Sequence, residues 1–132
     1  LGGWLDRPPE EVTGQVSGFG DAGQGAEQWR GISPFVTSGV LWSLYAFLRT
    51  PDDYLATMVT AIAVGGDVDT TAAMAGAISG AYLGEAGLPQ DLLPHLTDQG
   101  TFGLAELRAL AAECYEISQR KKSSFFSRLL GR

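Results

Sequence analysis

Apolar and polar residues alternate with helical spacing over most of the chain. Leu41, Leu44, Tyr45 and Leu48 fall three and four apart, as on one helix face, and Thr37 or Ser38 stands where an N-cap belongs. The aromatic content leaves a strand open over that stretch. The next pattern reads more sharply: Thr50 as N-cap, Pro51 at the first helical position, and Asp52 and Asp53 in the first turn. Tyr54, Leu55, Met58, Val59 and Ile62 form its apolar face, and Gly65 ends it. A third helix is predicted over Thr70 to Leu83. In it Ala72, Gly76, Gly80 and Gly84 recur four apart beside Ala73, Ala77 and Ala81. Each interior glycine costs about 1 kcal/mol relative to alanine, so the stripe predicts close approach of neighbouring helices. Gly87-Leu88-Pro89 and Pro94 bound a short helical turn that ends at His95. Phe102 to about Gln119 is amphipathic: Leu104, Leu107, Ala111 and Cys114 line one edge, Leu110 and Ile117 widen it, and Glu106, Arg108, Glu113 and Glu116 take the wet face.

The two ends lack this regularity. Pro8-Pro9, Gly18, Gly20, Gly23 and Gly25 interrupt the first 31 residues, leaving room for a short helix over Glu10 to Val16 and loop elsewhere. Trp29, Ile32 and Phe35 are expected to anchor that loop on the body. From Arg120 to Arg132, basic residues alternate with Phe125, Phe126, Leu129 and Leu130. That pattern suits either a frayed, solvated terminus or a surface for an anionic membrane or a partner. The expected architecture is all-α: an irregular segment over 1–36, a helical bundle over 37–119 and a basic tail over 120–132.

Composition sharpens this in two respects. With 132 residues, 45% hydrophobic and 18% charged, the chain has the make-up of one globular domain or part of one. Its formal charge of -6 is uneven, because five of the nine basic residues lie in the last thirteen positions. The acidic body argues against a broad nucleic-acid surface, which draws its affinity from Lys and Arg. A lone cysteine, Cys114, excludes an internal disulfide or a thiolate metal cluster. It agrees with a reducing, cytoplasmic setting. No transmembrane segment is expected, since the uncharged run Thr70 to Gly84 falls short of the roughly 20 residues needed to cross a bilayer.

Candidate chemistry concentrates in Gly65-Gly66-Asp67-Val68-Asp69-Thr70-Thr71. The two glycines permit positive φ and close approach of backbone or ligand, and Asp69 stands as N-cap of the following helix. Asp67, Asp69 and Thr70 then offer hard oxygen donors for Mg²⁺ or Mn²⁺. The same residues also make an ordinary turn in which Asp69 caps the helix and Asp67 is solvated. A helix N-terminus disfavours a cation, an effect that two carboxylates can outweigh. An EF-hand is excluded, because Ile78 falls where its bidentate Glu belongs when Asp67 opens the loop. His95 has no second histidine or local carboxylate beside it and reads as structural.

Ala61-Ile62-Ala63-Val64-Gly65-Gly66-Asp67-Val68-Asp69-Thr70, followed by Ala72-Ala73-Met74-Ala75-Gly76-Ala77-Ile78-Ser79-Gly80-Ala81-Tyr82-Leu83-Gly84, resembles the C-terminal signature of the ADP-ribosylglycohydrolase family. The likeness extends back through Ser38-Gly39-Val40 to Leu48 and forward to Leu88-Pro89. It implies the C-terminal part of an all-α fold with a site for two Mg²⁺ or Mn²⁺ ions, in which Asp67, Asp69 and Thr70 are metal ligands. The substrate it implies is the ADP-ribose moiety of a modified protein or small conjugate, cleaved at its glycosidic bond. Family members are longer, and their other ligands come from an upstream Gly-Asp segment opening the first helix and a later Thr with adjacent Asp. Neither is present. Gly20-Asp21-Ala22-Gly23 imitates the first but runs into Gln24-Gly25 where an apolar helix belongs. The expectation is therefore a chain that supplies half of a site, completed by an N-terminal part on the same or another chain and inactive alone. The alternative is a non-catalytic helical binding module or inactive fragment. Phe35, Trp42 and Tyr45 suit a nucleotide pocket and a core equally, and no general base, acceptor or preferred metal is assigned.

Overall fold

Small residues decide how the helices meet. The computed structural model describes residues 2–19 and 30–129, with side chains as far as residue 120. Its helices are α1 (Pro9–Val16), α2 (Val36–Arg49), α3 (Tyr54–Ile62), α4 (Val68–Leu83) and α5 (Leu104–Leu129). Short 3₁₀ turns at Glu85–Gly87 and Leu93–His95 and a two-stranded ribbon, β1 (Thr97–Asp98) and β2 (Phe102–Gly103), separate α4 from α5. The chain divides into two compact units, 1–89 and 90–132. Among the described residues no helix is long and apolar enough to cross a membrane.

In the first unit α2, α3 and α4 pack on one another. Ala46, Ala61 and Ala75, one from each helix, meet in a buried cluster. A Cβ on Gly76 would lie 3.0 Å from Tyr54 Oη and 3.2 Å from Met58 Sδ, and one on Gly39 would lie 3.2 Å from Met74 Cε. Of the stripe that the spacing marks, Gly76 is the glycine that makes this close helix approach; Gly80 meets Leu88, Gly84 is exposed with nothing near it, and Gly39 packs from outside the stripe. The buried line of α4, however, is Thr71, Ala75, Gly76 and Ser79, while Ala73, Ala77 and Ala81 face out.

A second cluster carries the bulk. Val12 and Val16 of α1 join Ile32, Trp42 and Tyr45, all fully buried. The expected helix near Glu10 therefore exists and contributes core. Ile32 is an anchor, Phe35 is half-buried, and Trp29 lies outside the described residues. Tyr45 and Arg49 tie the start of the chain to α2: the phenol donates to Arg7 O at 2.8 Å, and Arg49 Nη1 donates to Arg7 O at 2.6 Å and Leu5 O at 3.3 Å.

The predicted N-caps of α2 and α3 both move. Helix α2 starts at Val36 with Phe35 at its N-cap, so neither Thr37 nor Ser38 caps it; Ser38 sits inside the first turn and donates to Phe35 O at 2.9 Å. Helix α3 starts at Tyr54 rather than Pro51. Asp53 has the extended backbone that a cap requires (φ -132, ψ 106), and its Oδ1 accepts the Ala56 N–H at 2.9 Å. Thr50 instead closes α2 and accepts at its carbonyl from Thr57 Oγ1 at 3.0 Å.

The apolar face expected of α3 also divides. Tyr54 and Met58 reach Gly76, but Leu55, Val59 and Ile62 are 52%, 62% and 48% exposed, and Thr57, Thr60 and Ala61 are buried instead. Where Ala61 meets Ala46 and Ala75 the contact admits small side chains, whereas Tyr54 and Met58 fit over the glycine at 76.

In the second unit, Thr97 pairs with Gly103 and Asp98 with Phe102, across a turn in which Gln99 and Gly100 have positive φ. Phe102 belongs to this ribbon, so α5 begins at Leu104, and it continues past Gln119 to Leu129. Leu107, Leu110, Cys114 and Ile117 are exposed. Glu106 Oε2 accepts the Gly103 N–H at 2.9 Å. That bond, then the carboxylate's own backbone N–H, hold Glu106 below its ordinary value of 4.5. A depressed carboxyl stabilises the fold fully above the ordinary value and loses that contribution as the pH falls through the lower folded value. Amide exchange should therefore show the Gly103 N–H losing protection on acidification below pH 4.5. Glu106→Gln should abolish that pH dependence, and a Gly103 profile unchanged by the substitution would contradict the assignment.

Candidate metal centre

The turn between α3 and α4 is built by backbone from elsewhere in the chain. After Ile62, Gly65 and Gly66 take φ of +75 and +90, and α4 starts at Val68. An extended segment reaches this turn at Ile32, which forms a parallel bridge to Gly66. The Ile32 N–H donates to Gly65 O at 3.2 Å, and the Asp67 N–H donates to Ile32 O at 2.8 Å. Gly31, at φ +93, completes the approach, since a Cβ there would strike the main chain of Val64 and Gly65. The close approach expected of the glycines is therefore made by backbone.

The acidic residues follow directly. Asp67 occupies the N-cap position of α4, yet its side chain makes no capping bond. Asp69 is exposed in the first helical turn, so the expectation that it caps the helix is corrected: α4 begins two residues before Thr70. Hydrogen bonding with the Asp67 side chain, then the N–H groups of Asp69 and Thr70, hold the Asp69 carboxyl below its ordinary value of 3.8. The two carboxyl groups are thus brought together, while Thr70 adds a hydroxyl from an exposed position. Two carboxylates and a hydroxyl are hard oxygen donors, and this set fits Mg²⁺ or Mn²⁺. Among the described residues no group of three or more His, Cys, Asp or Glu comes together, so the carboxylates form a pair.

Beneath the pair lies a buried polar arrangement that periodicity did not reveal. Thr71 is 1% exposed; its Oγ1 lies 3.0 Å from Asp67 O and 3.4 Å from both Val68 O and Ala61 O. Trp42 Nε1 donates to Ala61 O at 2.9 Å. Ser43 Oγ lies 2.8 Å from Gly39 O and 3.2 Å from Thr71 O. Thr70 and Thr71 are alike in local sequence, and only the true helix start, with Thr71 four residues after Asp67, places one out and the other in. Trp42 and Tyr45 are wholly buried, their rings tilted against each other with centroids 5.0 Å apart, and belong to the core.

Similar proteins add an independent line. The ADP-ribosylhydrolase ARH3 of Homo sapiens and that of Bos taurus are each 34% identical to this chain over 105 residues, covering 72% of it and 27% of their own length. The ADP-ribosylhydrolase ARH3 of Mus musculus is 33% identical over 104 residues, 71% of this chain and 26% of its own. The chain spans about a quarter of the length of these curated relatives. No solved structure matches it. A sequence model of the family described as ADP-ribosylglycohydrolase matches residues 4–124, and on that match the chain, with its all-α fold and its Gly-Gly-Asp-Val-Asp-Thr turn, belongs to the ADP-ribosylglycohydrolase family.

Proposed function

We propose that this chain carries the C-terminal ligands of a hydrolase that cleaves the glycosidic bond of ADP-ribosylated protein or a related ADP-ribose conjugate. Asp67, Asp69 and Thr70 hold Mg²⁺ or Mn²⁺ in a two-ion site whose other ligands come from an N-terminal part of the fold, on the same or another chain. The observation that carries this reading is the carboxyl pair itself: Asp67 stands at a helix start without capping it, beside Asp69, on a turn that Ile32 fixes from outside. The name ADP-ribosylhydrolase of the relatives supports the substrate class. When bound, the ions would orient ribose hydroxyls, stabilise charge at the reacting carbon and activate water. The chain's own part is positional: the glycine turn carries the two acids side by side at the start of α4, Asp69 exposed and Asp67 half-buried. The free, exposed thiol of Cys114 suits a reducing, cytoplasmic setting.

A second reading for the isolated chain, a non-catalytic interaction module, is favoured by the pairing of two carboxylates without a third among the described residues. Combining Asp67→Asn with Asp69→Asn separates the two. The hydrolase reading expects Mn²⁺ binding, followed by electron spin resonance, to weaken at least about tenfold as ligand charge is removed, with helicity unchanged in circular dichroism. Unfolding of the double variant would mark the turn as structural. Release of ADP-ribose by these 132 residues alone would overturn the divided site.

A further inference from the structure

We infer that Thr71 is the positioning residue of the acidic turn, acting from the buried side of α4 while Asp69 and Thr70 face solvent and Asp67 is half-buried. This rests on the proposed role of that turn. Both main-chain polar groups of Asp67 are held: its N–H by Ile32 O at 2.8 Å, and its carbonyl by the Thr71 hydroxyl at 3.0 Å and the Thr71 N–H at 3.1 Å. The Asp67 side chain makes no capping bond to the helix. Thr71 is in turn fixed by α2, because Ser43 Oγ reaches its carbonyl, and it stands against the end of α3, where Ala61 O also accepts from Trp42 Nε1. One residue thereby joins the carboxyl-bearing turn to both neighbouring helices. A Thr hydroxyl bonded to the carbonyl four residues back is otherwise ordinary, and on an isolated helix slightly destabilising. What distinguishes Thr71 is that the carbonyl it holds belongs to a proposed ligand.

Three measurements on the whole chain test this with Thr71→Val, which removes the hydroxyl at nearly constant shape, and Thr71→Ser, which restores it. The Asp67 and Ile32 amides of Thr71→Val should exchange with solvent at least about tenfold faster relative to amides in the middle of α4. Its Mn²⁺ affinity should fall at least about threefold, as when a group supporting a ligand is lost. The melting temperature should move little, and Thr71→Ser should recover the exchange pattern and the affinity. Uniform acceleration across α2, α3 and α4, tracking global stability, would reduce Thr71 to a core residue and overturn the proposal; so would no change at the turn. If the parent chain binds no Mn²⁺ while the turn still loosens selectively, the metal reading falls and the positioning stands. Should Thr71→Val fail to fold, Ser43→Ala serves instead: it is expected to raise Asp67 exchange at least about threefold, and an unchanged rate would overturn the proposal.

Discussion

Gly66→Ala is expected to remove a large fraction of the stability of the first unit. Gly66 sits at φ +90, where a side chain is strained, and a Cβ there would meet the Ile32 main chain: its carbonyl oxygen, its nitrogen at 2.5 Å and its carbonyl carbon at 2.8 Å. Every one of these atoms is backbone, so no rotamer change relieves the clash. Strain at positive φ costs about 1–3 kcal/mol and overpacking about as much again, against a total of about 5–15 kcal/mol for a typical domain. Thermal unfolding followed by circular dichroism should show a fall of at least about 8 °C. A shift near zero would mean that the Ile32 segment can leave the turn without loss, and the account of how the acidic pair is held would fail. The acids should suffer with the fold, since relieving the clash requires the Ile32 segment to move off the turn that carries them.

Trp42→Ala should cost about 3–5 kcal/mol, as for other fully buried aromatics. Two losses combine. The indole fills the junction of Val12, Val16, Ile32 and Tyr45 and is fully buried. Its Nε1–H is also the 2.9 Å donor to Ala61 O at the end of α3. Trp42→Phe separates the terms: it keeps most of the apolar volume and should lose only the hydrogen bond, about 1–3 kcal/mol for a buried acceptor left short of a partner. Chemical denaturation reads both. If Trp42→Ala proved as mild as Trp42→Phe, the indole would be a surface plug rather than the centre of the first core.

What was readable beforehand follows from how local each cause is. The Gly/Ala spacing of α4 and the clustered acids of residues 65–70 are local, and with them came the all-α fold and the family. The cap of α3 was misplaced because Thr50-Pro51 fits a helix start and a turn equally well; the choice fell to Asp53, whose backbone the preceding turn holds extended. The inner face of α3 departs from its hydrophobic pattern because weighting by hydrophobicity favours Leu55 and Val59 over Thr57 and Thr60. Burial along α3 is instead open to small side chains such as Ala61, which meets Ala46 and Ala75, and to Thr57, which satisfies its hydroxyl on Thr50 O. Two-residue strands are shorter than any period that could announce them. Thr71 stayed hidden because its partners Ser43 and Ala61 lie on other helices.

The bridge from Ile32 to Gly66 also bears on the order in which the molecule assembles. These residues are far apart in the chain, with two helices between them. Closing a loop of that length costs on the order of 3 kcal/mol in chain entropy, which the few hydrogen bonds of the bridge cannot offset before the helices have packed. A nascent α3–α4 hairpin would therefore hold its acids on a loose tether. The carboxyl pair acquires its final geometry late, when the strand-like segment locks down, so the chemistry of the turn becomes a reporter of completed folding.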